Sequence, residues 1–314
     1  MQHADSLIWI SGATEGIGLG LSRNVPYAEA RVINLSRRTH PAIESVHLDL
    51  ADPSSWNAVA AHFRETLAGF RGKRAIFVQN AHLKGMTGFA GEVPAADYAR
   101  DLTANMVAPI RLGEAYLRAV IDSGYTGEAG LVMMSSASAR SPYEGQSVYC
   151  AGKAALEMWV RVVRRELLQR GRETIWVTAV RPGFVDTGLT RHVAAMADRD
   201  YPVASMLRGQ IERGEGVMDI DTAARHIWAA LPADRSLLLF GDQVQVDRAG
   251  VRHERIPGRG PHRLGHWRSE GNWAGDGARR QTALSSIIYI MLNINMGNIA
   301  IFRDFRALSM ASDL

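Results

Sequence analysis

The sequence predicts an α/β fold, a doubly wound parallel sheet, in a single main domain (residues 1–250) with a C-terminal extension (251–314). Three observations predict it. Short apolar runs of strand length alternate with longer amphipathic stretches. The runs are apolar throughout, as strands covered on both faces are. The first run ends in a glycine-rich loop that opens a helical stretch.

In chain order the strand-like runs are "SLIWIS" (6–11), "RVINLS" (31–36), a short run ending at "VHLDL" (46–50), "AIFVQN" (75–80), "GLVMMSS" (130–136), "IWVTAVRP" (175–182) and "LLLFGD" (237–242). Helical patterns cover 16–27, 54–70, 95–122, 148–171 and 219–231. Parallel neighbours need crossover helices, which cover both faces of the sheet. Ligands of such sheets bind beyond the carboxyl ends of the strands, so the residues just after each strand carry most information.

Composition narrows the classes. The chain has 314 residues, 46% hydrophobic and 22% charged, an ordinary globular balance. Cys150 is the only cysteine, which excludes an intramolecular disulfide and fits a reducing compartment. It reads as a small buried hydrophobe. The N-terminal stretch lacks the basic flank and long apolar run of a signal peptide, so a cytoplasmic protein is expected. The net charge of +4 is local: residues 251–280 hold seven arginines against Glu254, Glu270 and Asp276. Residues 1–250 are then neutral, with no basic face for nucleic acid. Segment 281–302 is uncharged, but Asn293, Asn295 and Asn298 make it a poor membrane span. A packed or subunit-joining strand or helix is expected there, with a disordered or non-native tail and a membrane contact as alternatives. No metal-ligand spacing is present.

The loop after the first strand, "SGATEGIG" (11–18), carries Gly12, Gly16 and Gly18, with Thr14, Glu15 and Ile17 between them. Glycines there permit a tight turn and let backbone N–H groups approach a pyrophosphate at a helix N-terminus. The second strand ends at Ser36, where folds that prefer NAD place a carboxylate for the ribose 2′-OH. Arg37 and Arg38 follow, and a guanidinium suits a 2′-phosphate. NADP(H) is favoured over NAD(H), with Glu15 pulling the other way. Asp49 and Leu50 follow the third strand. Asp49 either bonds the adenine or caps the next helix, a role better suited to Asp52 or Ser54.

"SVYCAGKAAL" (147–156) places Tyr149 and Lys153 one helical turn apart on one face, in a chain with only three lysines, Lys73, Lys84 and Lys153. A tyrosine of pKa about 10 is a poor acid at neutral pH. A neighbouring ammonium lowers that pKa and makes the phenol a usable proton donor to a carbonyl. Ser136 ends the preceding strand, where its hydroxyl would hold the substrate oxygen. A solvated surface pair is the competing reading of Tyr149 and Lys153 taken alone.

Together these motifs, over residues 5–248, resemble the short-chain dehydrogenase/reductase family, whose fold is the Rossmann fold. The resemblance implies that Ser136 polarises the carbonyl, that Tyr149 is the acid/base, and that Lys153 lowers the Tyr149 pKa and bonds the nicotinamide ribose. Asn105, in "LTANMVAPIRL", matches the family's helix asparagine, which completes a proton relay through water to the lysine. Pro182, Gly183, Val185 and Thr187, in "VRPGFVDTGL", match the segment at the nicotinamide end. Asn80 and Ala81 match the family's Asn-Asn-Ala-Gly motif, but "QNAH" puts His82 in place of its glycine, where a tolerated side chain at the cofactor rim is expected.

Within the family, "SARSPYEGQSVYCAGKAALEMWVR" and "RPGFVDT" resemble sepiapterin reductases and bacterial benzil reductases. This implies NADPH-dependent reduction of a ketone or diketone on a small, flat or cyclic molecule. Tyr143 and Glu144 are placed to line the substrate pocket, and 188–217 to form its lid. Helices near 98–120 and 150–168 resemble those that pair subunits, which implies a homodimer or homotetramer. Trp159 and Val160 fall either in that interface or in the core. The alternatives are a 3-oxoacyl reductase or secondary-alcohol dehydrogenase, and, outside enzymes, a nucleotide-binding regulator that retains the fold.

Overall fold

A computed structural model describes residues 4–240 apart from Met86, Asp200 and Glu215. The expectations for 251–314, and the domain boundary at 250, lie outside the described residues. Strands β1 (Ser6–Ser11), β2 (Ala30–Ser36), β3 (Glu44–His47), β4 (Arg74–Gln79), β5 (Glu128–Met134) and β6 (Ile175–Arg181) lie in one sheet with β9 (Leu237–Leu239). Its order is β3-β2-β1-β4-β5-β6-β9, and every pairing is parallel. The short strands β7 (Phe184–Val185) and β8 (Val217–Met218) form a separate parallel pair. Around them run helices α1 (Gly16–Arg23), α2 (Pro53–Leu67), α3 (Ala95–Leu102), α4 (Ala108–Asp122), α5 (Ser147–Gln169), α6 (Gly188–Ala194), α7 (Ala204–Arg213) and α8 (Ile220–Ala229).

Alternate residues of each strand feed two cores. Leu7 and Trp9 of β1, Phe77 of β4 and Leu131 of β5 belong to the core under α2, α4 and α5. Their neighbours Ile8, Ile10, Ile76, Val78 and Val132 belong to the other, with Leu21 and Trp228 of α1 and α8. A strand's side-chain period of two allows this only where both faces are covered, which explains the unbroken apolar runs. Each fully buried Leu, Ile or Phe side chain stabilises the fold by about 1.5–3 kcal/mol.

Local rules set the ends. Asp52 caps α2 by accepting from the Ser54 N–H at 2.9 Å, with Pro53 opening the helix, which settles the capping question in favour of Asp52. Helix α1 stops at Arg23, short of the expected 27, because the Asn24 amide bonds the Gly20 carbonyl at 2.8 Å. The single helix expected over 95–122 is two, α3 and α4, joined by a π-helical turn at Thr103–Val107. Pro109 accounts for part of the break: it has no N–H for the carbonyl four residues back, which is that of Asn105. Val160 is wholly buried, and Trp159 packs against the core while partly exposed. The exposed large apolar residues of α5 are Met158, Val162 and Leu168.

Candidate active site

The strand order reverses between β1 and β4, so the crevice of this sheet opens at their carboxyl ends. Ser11 ties the two ends together. Its hydroxyl donates to Gln79 Oε1 at 2.9 Å and accepts from the Asn80 and Ala81 N–H groups at 2.8 and 2.9 Å. Buried Asn34 does the same for the next loop: its Oδ1 accepts from the Ala13 N–H at 3.1 Å, and its Nδ2 donates to the Arg38 carbonyl at 2.9 Å. Neither residue was singled out from the sequence. A polar side chain inside an apolar strand was the available signal, since such a group is buried only with partners.

The glycine loop packs closely on its neighbours. Gly12 and Gly16 take φ of +71° and +55°, a region that disfavours side chains. A Cβ on Gly12 would stand 3.2 Å from the Ala81 Cα, and one on Gly16 3.6 Å from Thr187. Gly18 differs from the other two: it is buried, its Cβ would run into the Gly12 carbonyl, and it does not line the cavity. It lets α1 pack under the loop.

A cavity of about 450 Å³ opens at these strand ends. It collects Gly12, Thr14, Glu15, Gly16 and Ile17, then Ser36, Arg37, Arg38, Asp49 and Leu50, then Asn80 and Ala81. At its other end are Ser136, Tyr143, Tyr149, Lys153, Pro182, Gly183, Val185 and Thr187, with Asn105 behind them. All the expected site residues except Gly18 line it; Glu144 is exposed and does not. Glu15 pairs with Arg38 at 3.0 Å, while Arg37 makes no ion pair among the described residues.

Tyr149 and Lys153 are no surface pair. They lie at the head of the α5 stripe that faces the sheet and continues through Leu156, Glu157, Val160, Val163 and Leu167. Lys153 donates to the Met134 carbonyl at 2.9 Å, and its nitrogen lies 5.6 Å from the centroid of the Tyr149 ring. Burial lowers the lysine pKa to about 8. Burial also pushes the Tyr149 phenol above its ordinary value, while the bond from Ser136 works to lower it. In the protein alone burial has the larger effect, and the phenol is held protonated. Ser136 accepts from the Ser138 N–H at 3.2 Å, which fixes its hydroxyl at the end of β5.

Asn105 contributes differently from a simple proton carrier. Its amide accepts from the Leu83 N–H at 2.8 Å and donates to the Leu83 carbonyl at 3.0 Å, pinning the loop after β4. Its main-chain carbonyl lies where α5 crosses, 3.6 Å from the position of a Cβ on Gly152. His82 lines the cavity and is partly buried. Its ring stands edge-on to Tyr149 with centroids 5.1 Å apart, and burial with the Lys153 charge holds its pKa well below the usual histidine value.

Behind the site, Glu157 accepts two bonds from Arg181 at 2.7 and 2.8 Å and one from Ser135 at 2.7 Å. This buried pair locks α5 to the ends of β5 and β6, ahead of Pro182. Over the site, Leu189, Val193, Met196, Tyr201, Met206 and Leu207, from α6, α7 and the turn between them, supply an apolar wall. Cys150 is half-buried, its thiol pushed up by burial. Among the described residues no group of three His, Cys, Asp or Glu is placed to hold a metal ion, and no helix is long and apolar enough to cross a membrane.

A glycine cradle at a sheet's switch point, leading to a Ser–Tyr–Lys cluster, defines a nicotinamide-dinucleotide oxidoreductase. Comparison with known proteins agrees. The short chain dehydrogenase family model matches residues 6–198. The chain is 30% identical to L-xylulose reductase of Bos taurus over 250 residues, covering 76% of this chain and 93% of the relative. It is 24% identical to the benzil reductase ((S)-benzoin forming) of Bacillus subtilis over 210 residues, 65% of this chain and 85% of the relative. A short-chain dehydrogenase from Sphingobium yanoikuyae, solved in complex with NADPH, superposes with a TM-score of 0.59 at 19% identity, covering 94% of this chain and 99% of its own. The protein belongs to the short-chain dehydrogenase/reductase family and is an NAD(P)-dependent oxidoreductase.

Proposed function

We propose that the protein is an NADPH-dependent carbonyl reductase acting on ketones or diketones of small, flat or cyclic molecules. The observation that carries the reading is the meeting of Ser136, Tyr149 and Lys153 in one cavity whose far end holds Arg37 and Arg38. The dinucleotide, when bound on the Gly12–Gly16 loop, supplies a hydride to the carbonyl carbon. The residues of this chain do the rest. Ser136 donates a hydrogen bond to the carbonyl oxygen and polarises it. Tyr149, kept protonated by burial, delivers its proton to that oxygen as charge develops there. Lys153, held by Met134, offsets the phenolate left behind. The proton is replaced from solvent past the Asn105 carbonyl.

Arg37 supports the choice of NADPH, because it is exposed and makes no ion pair among the described residues at the place where a 2′-phosphate would lie. The apolar wall of α6 and α7 supports a flat substrate, as does a relative named for the reduction of benzil, while relatives named for the reduction of xylulose support a small ketone. A reducing, cytoplasmic setting suits a chain with one cysteine. Met158 and Val162 on the exposed face of α5 suit pairing with a second copy. The test is NADPH consumption with a panel of diketones, quinones and pterins, alongside 3-oxoacyl thioesters and secondary alcohols with NADP+. Turnover confined to the thioesters or the alcohols would overturn the substrate assignment. Dinucleotide binding with no turnover on any would favour a regulator.

A further inference from the structure

Three observations converge on His82. It follows Ala81, which touches Gly12 of the cradle, and it precedes Leu83, which Asn105 holds. Its ring lines the cavity and stands edge-on to Tyr149 at 5.1 Å. Its ring nitrogens have no hydrogen-bond partner among the described residues, the side chain is partly buried, and the charge of Lys153 helps keep it neutral. A neutral imidazole offers one donor and one acceptor, and the described residues leave both for a molecule in the cavity.

We infer that His82 holds the ribose of the nicotinamide half of the cofactor, sharing that sugar with Lys153 and Tyr149. The path of the ligand dictates this. A dinucleotide with its pyrophosphate on Gly12–Gly16 and its reacting ring near Gly183 and Thr187 would carry its second ribose past Ala81 and His82 toward Lys153, all of which line the one cavity. A ribose hydroxyl both donates and accepts, matching the imidazole. The contact with Tyr149 gives the side chain a second effect, since the imidazole packed against the phenol ring fixes its orientation. His82 is thus a cofactor-contacting and positioning residue that the backbone of a glycine could not replace. The inference rests on the reading that the cavity binds a nicotinamide dinucleotide.

The test separates ring packing from hydrogen bonding, and one half of the ligand from the other. His82→Phe keeps an aromatic ring against Tyr149 without a polar atom; His82→Gln keeps a donor and an acceptor. Quenching of protein fluorescence reads the Kd of NADPH, of NADH and of adenosine 2′,5′-bisphosphate, which lacks the second ribose. Loss of one hydrogen-bond partner predicts NADPH and NADH binding weakened roughly three- to tenfold in His82→Phe and largely restored in His82→Gln. Binding of the bisphosphate is expected to be the same in all three proteins. Equal weakening of the bisphosphate, or unchanged NADPH binding with a raised KM for the ketone, would overturn the assignment to the ribose. Failure of the unsubstituted protein to bind any dinucleotide would overturn the cofactor reading itself.

Discussion

The Lys153 ammonium donates to the Met134 carbonyl at 2.9 Å, and its nitrogen lies 5.6 Å from the centroid of the Tyr149 ring. The lysine is thus fixed by the strand end and not by the phenol. Burial then acts on both groups in the direction that removes charge, so Tyr149 starts as a proton donor must, protonated. Lys153 titrates first on raising the pH, at about 8. The rate of carbonyl reduction, read as kcat/KM, is expected to fall as pH rises through that value, well below the range in which a buried phenol ionises. A rate that holds level to pH 10 would contradict this.

The same lysine costs stability. Its folded pKa of about 8 lies below the ordinary lysine value of 10.5, so between these values the unfolded chain binds more protons and stability rises with pH. Below that window the full cost of the buried ammonium is present. Lys153→Met is expected to abolish turnover yet raise the stability at pH 7 by about 1–3 kcal/mol. Thermal melts at pH 7 and above pH 10 check it, with the gain shrinking at high pH.

Ser136 is held by Ser138 at the end of β5 and faces Tyr149. Ser136→Ala removes the donor to the carbonyl oxygen, and the expected loss is about 10²-fold in kcat, as for one oxyanion donor. Cofactor Kd should stay within error, because the hydroxyl serves the substrate. Steady-state kinetics with cofactor titration separates the two.

Glu15 competes for Arg38 across the mouth of the cavity. Glu15→Gln frees that guanidinium for a 2′-phosphate, so NADPH binding should tighten by roughly two- to fivefold while NADH binding changes little. Arg37→Asp should do the opposite to NADPH and favour NADH. Both effects should shrink at high salt, since the groups are exposed.

Asn105 holds Leu83 through both atoms of its amide. Asn105→Ala leaves a buried N–H and a carbonyl unmet and is expected to cost about 1–3 kcal/mol of stability. It should also slow turnover, by releasing the loop that carries His82. Melting temperature and kcat measured on the same variant check both.

Much of this was legible in the residues. The apolar runs, the glycine loop and the Tyr149–Lys153 spacing each reflect a local rule, and local rules survive folding. The helix expected over 95–122 was broken because Pro109 acts four residues upstream of itself, which periodicity does not register. Ser11 and Asn34 were missed because their partners, Gln79, Ala81, Ala13 and Arg38, come together only across strands. His82 reads as a bystander because nothing in its neighbours along the chain places it against Tyr149; the pairing of β4 with β5 and the crossing of α5 do that. Trp159 and Val160 were ambiguous since an apolar helix face looks the same toward a core or toward a partner.

The central claim is that Tyr149 delivers the proton to a carbonyl reduced by NADPH. Tyr149→Phe keeps the ring that packs against His82 and removes only the hydroxyl. With a diketone that the unsubstituted protein reduces, NADPH oxidation by this variant should fall by at least about 10²-fold, the scale of general acid catalysis, with NADPH Kd weakened by no more than about tenfold, the loss of one hydrogen bond to the ribose. Turnover retained at a level near that of the unsubstituted protein would contradict the account.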